Sequence, residues 1–265
     1  MRVAALLFAI FAVCANAAPT DCEKHYADGD APEITRASIT IKAQELCYSE
    51  IGVMFSGVSR TPLWSAEHLT RAHLDARHKF DVARGVNRRC SFKPEIRLPL
   101  AERVADADYS VQGKDPYYQK GHMAPDHDMS NGASERESCT YSNAVPQVGA
   151  INEHLWSYIE AAVRDSVTRD SDVYVITGPI FRGKAKKLNG RVAIPQEVFK
   201  AVYYPKKGIA GAYVVTNSKD NTDEYTSVSI SALEKSIGII LFPSLSDDIK
   251  AAGMTLPEPA GATLK

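Results

Sequence analysis

Residues 152–168 constrain the fold more than any other stretch of the chain. Leu155, Ile159, Val163 and Val167 recur every four residues, which is the apolar stripe of an α-helix. Asn152, Trp156, Glu160 and Arg164 repeat with the same period and lie about 100° away around the axis. One face of this helix must be buried, with a polar stripe along the border of that face. Side chains on such a border can project into the floor of a cleft while the helix stays anchored. Ser157, Ala161 and Asp165 fall on the other flank and are expected to face water.

The surrounding pattern mixes strands and helices. Residues 172–177 read as a buried strand stopped by Gly178-Pro179, and residues 198–204 and 212–216 as two more, joined through a Lys206-Lys207-Gly208 turn. The alternation over residues 47–58 predicts a strand. Ser65 is placed to cap a short helix over 66–76, with Glu67 near its positive end. Residues 19–50 and 81–116 are irregular. A helix over 231–237 and a short strand over 238–242 follow, and the tail from Ala251, with Pro257 and Pro259, is expected to be loose. No regular strand–helix–strand alternation emerges. The expected class is α+β, with a largely antiparallel central sheet and helices.

The amino terminus has Arg2, an apolar run over 3–13 and then Cys14-Ala15-Asn16-Ala17-Ala18. A positive start, a short apolar core and an Ala-x-Ala site resemble a secretory signal peptide over residues 1–18. The run is too short to span a bilayer as a helix. Residues 19–265 are then expected to form a single domain, exported to the periplasm or secreted. Beyond the leader stand Cys22, Cys47, Cys90 and Cys139. An even count in an exported chain suggests two disulfides, with three pairings open. The sequential pairing, Cys22–Cys47 and Cys90–Cys139, is favoured, each bridge contributing about 3 kcal/mol. No Cys-x-x-Cys pair exists, which argues against a thiolate zinc site. The formal net charge is −1, so nucleic-acid contact would rest on a local groove of Arg and Lys rather than on a global positive field.

His122 lies in Tyr118-Gln119-Lys120-Gly121-His122-Met123-Ala124-Pro125, followed by Ser142-Asn143-Ala144-Val145-Pro146-Gln147. A neutral imidazole is the natural base near pH 7, and Gly121 lets the backbone come close to a substrate. A hydrogen-bonded loop histidine is the plainer alternative. The other histidines (25, 68, 73, 78, 127 and 154) lack such a setting, and His25, His68, His73 and His78 are expected at the surface. Asn152 offers a neutral oxygen suited to magnesium, which favours oxygen ligands and keeps several waters; a helix N-cap is its ordinary alternative. Glu160 could hold a water of such an ion. Arg77 and Arg164 could fork onto phosphate oxygens, or form ordinary ion pairs, Arg164 with Glu160 at i,i+4 among them.

Together, Lys120-Gly121-His122-Met123-Ala124-Pro125, Ser142-Asn143-x-x-Pro146-Gln147 and Asn152-x-x-x-Trp156-x-x-x-Glu160 resemble the DNA/RNA non-specific endonuclease family. This is the His-Me-finger, or ββα-metal, group. The matched core covers residues 77–164; residues 173–179 and 195–202 resemble the family's later strands. The resemblance implies a ββα-metal motif with His122 as general base and Asn152 as the sole direct protein ligand to magnesium. Glu160 would hold a metal-bound water and Asn143 would orient the site. Arg77 and Arg164 would bind phosphate, and cleavage would leave 5′-phosphate ends. The family's usual Asp-Arg-Gly-His appears here as Gln119-Lys120-Gly121-His122, so Lys120 keeps the charge without the guanidinium fork and Gln119 lacks a carboxylate.

The leading expectation is an exported magnesium-dependent endonuclease acting on DNA and RNA, with manganese as the alternative ion. A catalytically weakened nucleic-acid-binding protein of the same fold, and a phosphodiesterase for small phosphate esters, are the other readings. No membrane partner is implied, and a homodimer is left open.

Overall fold

A computed structural model describes residues 20–85, 91–110, 117–168, 171–221 and 223–265. The strands that organise it are, in chain order, β1 (Ala43–Cys47), β2 (Gly52–Ser56), β3 (Thr61–Leu69), β4 (Tyr118–His122), β5 (Ala144–Val148), β6 (Val173–Ile180), β7 (Glu197–Tyr204), β8 (Ile209–Thr216), β9 (Glu224–Val228) and β10 (Thr263–Leu264). Eight of them form one sheet in the order β10-β9-β8-β7-β6-β3-β2-β1, while β4 and β5 pair only with each other. Every pairing in the large sheet is antiparallel except the edge pair β9–β10. This is the expected α+β class.

Side chains alternate across the sheet, and both faces are covered. Trp64, Ala66, Ile176, Phe199 and Ala201 meet the helix Ile230–Ile237 on one face. Leu69, Val173, Val175, Val198 and Val202 meet Leu155, Ile159 and Val163 on the other. That double burial explains the nearly continuous apolar run of β6. The helix predicted over 152–168 is present and its apolar stripe is buried throughout. Its first turn, Ile151–Trp156, is a π-helix, and Ser157–Ser166 continues as α-helix. Among the described residues no helix is long and apolar enough to cross a membrane.

Several boundaries differ from the sequence reading. Residues 47–58 are not one strand; the chain turns after Cys47, and β1 and β2 form a hairpin. The helix predicted over 66–76 is strand β3 up to Leu69. Burial of Thr61–Leu69 between β2 and β6 overrides local helix preference there. The real helix, α1 (Arg71–Arg84), is capped by Thr70, whose side chain accepts from His73 N at 3.2 Å. Gly178-Pro179 does not end β6. The ladder to β3 stops at Thr177, so the missing N–H of Pro179 costs no bond there, and the pairing of β6 with β7 continues to Ile180. The tail is not loose. Leu256 is buried, the hydroxyl of Tyr213 donates to the Pro257 carbonyl at 2.5 Å, and β10 adds to the sheet edge.

Cys22 and Cys47 form the expected disulfide, with Cα atoms 5.3 Å apart. The second expected bridge involves Cys90, and the leader spans residues 1–18; both lie outside the described residues.

Candidate active site

The β4–β5 hairpin and the helix that follows it make the two walls of a cleft. His122 ends β4 opposite Ala144 of β5. Gly121 beside it faces Gln147, and a Cβ at 121 would collide with Gln147 Oε1 and stand 2.6 Å from Gln147 Cβ. The glycine is therefore required by packing as well as by access. The His122 ring packs on Phe92, with centroids 4.5 Å apart, and its Nε2 lies 3.3 Å from Cys139 Sγ. With sulfur as acceptor, the proton sits on Nε2 and the lone pair is left on Nδ1. Burial lowers the His122 pKa below the usual imidazole value, and the Asp126 carboxylate only partly opposes this. The ring is then a neutral base at physiological pH.

Asn152 is not a helix cap. It is the second residue of the π-turn, whose cap position is Ala150. Its Nδ2 donates to Gln119 Oε1 at 2.7 Å, and Gln119 Nε2 donates in turn to Glu153 Oε1 at 2.6 Å. The chemistry of Oδ1, a hard neutral oxygen, fits a magnesium-like ion. Among the described residues no group of three or more His, Cys, Asp or Glu is arranged to hold a metal, so this cleft offers sparse protein ligation rather than a closed cage.

One cleft of about 610 Å³ is lined by His122, Asn152, Glu160 and Lys120, together with Gln119 and Glu153. Glu160 sits one helical turn beyond Trp156, and burial pushes its pKa up to about 7, although Lys200 and Arg164 pull it down. Beneath it, Glu67 and Lys200 are both buried in the sheet. Burial and the nearby Asp128 charge hold the Glu67 carboxyl well above the usual range. Lys120 Nζ reaches Asp106 Oδ1 at 2.7 Å, and the Tyr141 hydroxyl donates to the same oxygen.

The other three predicted site residues lie behind this cleft, not on its lining. Asn143 is fully buried, holding the backbone of Ala124 and the carbonyl of Ser138. Arg77 is buried and donates to Asp81 Oδ2 at 2.7 Å and to the carbonyls of Asp126 at 2.5 Å and Met129 at 3.4 Å. Arg164 pairs with Asp128 Oδ1 at 2.7 Å rather than with Glu160. Burial works against its charge, but Asp128 and Glu160 outweigh that and raise its pKa.

Sequence reasoning missed other members. His127 does share the cleft, paired with Asp126 at 2.8 Å. Ser157, expected to face water, lines the cleft as well, one helical turn before Glu160 and beside it on the helix surface. In the sequence Gln119 reads only as a lost carboxylate, and Glu153 lies outside the polar stripe. Of the histidines expected at the surface, only His78 is exposed. His25 is buried against the Tyr48 carbonyl, His68 stacks on Tyr174, and His73 reaches the Asp128 carbonyl.

The profile of the DNA/RNA non-specific endonuclease family matches residues 31–248. The chain belongs to this family. It is 32% identical over 220 residues to nuclease C1 of Cunninghamella echinulata var. echinulata, covering 76% of this chain and 82% of that one. Mitochondrial nuclease EXOG of Xenopus laevis is 30% identical, over 76% of this chain but only 59% of its own length. The nuclease of Serratia marcescens is 28% identical over 73% of each chain. The crystal structure of an EndoG/EndoGI complex shares the fold, with a TM-score of 0.62 at 24% identity, covering 77% of this chain and 88% of that one. In this member of the family the helix after β5 packs on the large antiparallel sheet and, with β4 and β5, forms the ββα unit.

Proposed function

We propose that this chain is an exported, magnesium-dependent endonuclease that hydrolyses phosphodiester bonds of both DNA and RNA. The observation that carries this reading is the convergence of the His122 imidazole and the Asn152 carboxamide on one cleft that Glu160 and Lys120 also line. His122 takes the proton of the attacking water through the Nδ1 lone pair. Asn152, and through water Glu160, would hold the cation; manganese suits the same oxygen donors. Bound there, the ion stabilises charge on the reacting phosphate and on the leaving oxygen. Lys120, released from Asp106, meets a phosphate oxygen as a point charge. Arg77, Arg164 and Asn143 serve as positioning residues for the loop and helix that carry the reacting groups. Residues 19–265 act as one nuclease domain after a leader over 1–18, and the Cys22–Cys47 bridge supports an oxidising destination.

The test is cleavage of plasmid DNA and of RNA by the purified protein, with magnesium and with chelator. Wild-type protein is expected to cut both in magnesium and neither in chelator. His122→Ala is expected to keep its melting temperature and lose cutting. Unchanged nuclease activity in that variant overturns the assignment.

A further inference from the structure

The hydrogen bonds joining Glu153, Gln119 and Asn152 have a polarity that is fixed from one end. A carboxylate can only accept. Facing Glu153 Oε1 at 2.6 Å, Gln119 must present its NH2 group, so its carbonyl oxygen turns to Asn152. Asn152 must answer at 2.7 Å with its own NH2 group, which leaves Oδ1 for the cleft. Gly149 leaves room for this passage, since a Cβ there would stand 3.0 Å from Gln119 Nε2. An amide alone has two nearly isosteric orientations. Two amides in series have no preference until a group of one sign is placed at an end, and Glu153 is that group.

We propose that Glu153, acting through Gln119, is a positioning residue that holds the Asn152 carboxamide with its oxygen toward the cleft, ready for a hard divalent cation. The inference rests on the reading of Asn152 as the cation's ligand. It also accounts for Gln119. The carboxylate absent from that position stands one hydrogen bond further out, at 153, and Gln119 transmits its polarity.

The experiment measures binding of Mn2+ alone to the full purified protein by electron paramagnetic resonance, with thermal melting of each variant as the control for folding. Glu153→Lys supplies only donors, so it reverses both amides and turns Asn152 Nδ2 toward the cleft. Glu153→Gln can serve either polarity. Glu153→Lys is expected to weaken Mn2+ binding about 10-fold or more, the scale on which outer-shell partners act, and Glu153→Gln to weaken it less. Glu153→Lys also adds positive charge, so the same substitution is made together with Asn152→Asp, where either oxygen can ligate and only the charge effect remains. A larger loss in the wild-type background than in the Asn152→Asp background supports the proposal. Equal losses in the two backgrounds overturn it and leave the ligand assignment standing, provided Asn152→Ala weakens binding. If Asn152→Ala binds Mn2+ like the wild type, or the wild type binds none, the ligand assignment falls and the proposal falls with it.

Discussion

The Asn143 carboxamide grips Ala124 from both sides: Oδ1 accepts from Ala124 N at 3.0 Å, and Nδ2 donates to the Ala124 carbonyl at 2.8 Å. A third bond runs to the Ser138 carbonyl at 2.8 Å. Asn143 thus fixes the backbone two residues beyond His122. Asn143→Ala removes three buried hydrogen bonds, at about 1 kcal/mol net each. We expect a loss of about 3 kcal/mol in denaturant unfolding, with cleavage falling further than the folded fraction does.

Arg77 binds carbonyls of the loop after His122, so its substitution reads differently from loss of a phosphate contact. Arg77→Lys keeps the charge but cannot span Asp81 and two carbonyls with a planar fork. Stability is expected to drop by about 2 kcal/mol, and kcat to fall more than KM rises. The slope of log affinity against log salt should stay as in wild type; a slope shallower by about 1 would mean a lost phosphate contact.

Gly121→Ala introduces a Cβ within 2.6 Å of Gln147 Cβ. Both are held in the β4–β5 ladder, so neither can retreat without opening it. We expect a loss of about 3 kcal/mol and a displaced His122, visible as a change in the histidine resonances of a proton–nitrogen spectrum.

Two buried groups should oppose each other on the acid side of neutrality. Burial lowers the His25 pKa from 6.5 to about 4. The unfolded chain therefore binds the proton first, and stability present above pH 6.5 is lost as pH falls toward 4, by about 3 kcal/mol. Glu160 has its pKa raised to about 7, so the folded state holds its proton longer. That contribution is full below pH 4.5 and disappears as pH rises through 7. Denaturant unfolding across this range, repeated for Glu160→Gln, is expected to show stability rising more steeply with pH between 4.5 and 6.5 in the variant, without the fall that follows up to 7. An unchanged profile in the variant would assign the loss elsewhere.

Much of this was legible in the chain, and the failures have physical causes. The apolar stripe of Leu155, Ile159 and Val163 sets the helix position because burial follows periodicity directly. The cleft residues His122, Asn152, Glu160 and Lys120 were found from residue chemistry in a resembling order. The helix predicted over 66–76 shows the limit: residues 71–76 are helical, but the part up to Leu69 is strand β3 because neighbours far along the chain cover both its faces, and no local pattern records that. That Arg77 is held by Asp81 and the Asp126 carbonyl, and Arg164 by Asp128, is a tertiary fact that their charge alone does not record. The roles of Gln119 and Glu153 depend on hydrogen-bond direction across 34 residues of sequence, which spacing alone does not encode.

The ion pair between Asp128 and Arg164 has a reach beyond its own two side chains. Asp128 belongs to the segment after His122, and Arg164 to the helix that carries Asn152, so the pair rivets one wall of the cleft to the other. The walls behave as one mechanical piece, and a change of sign at either rivet is expected to demand a matching change at its mate.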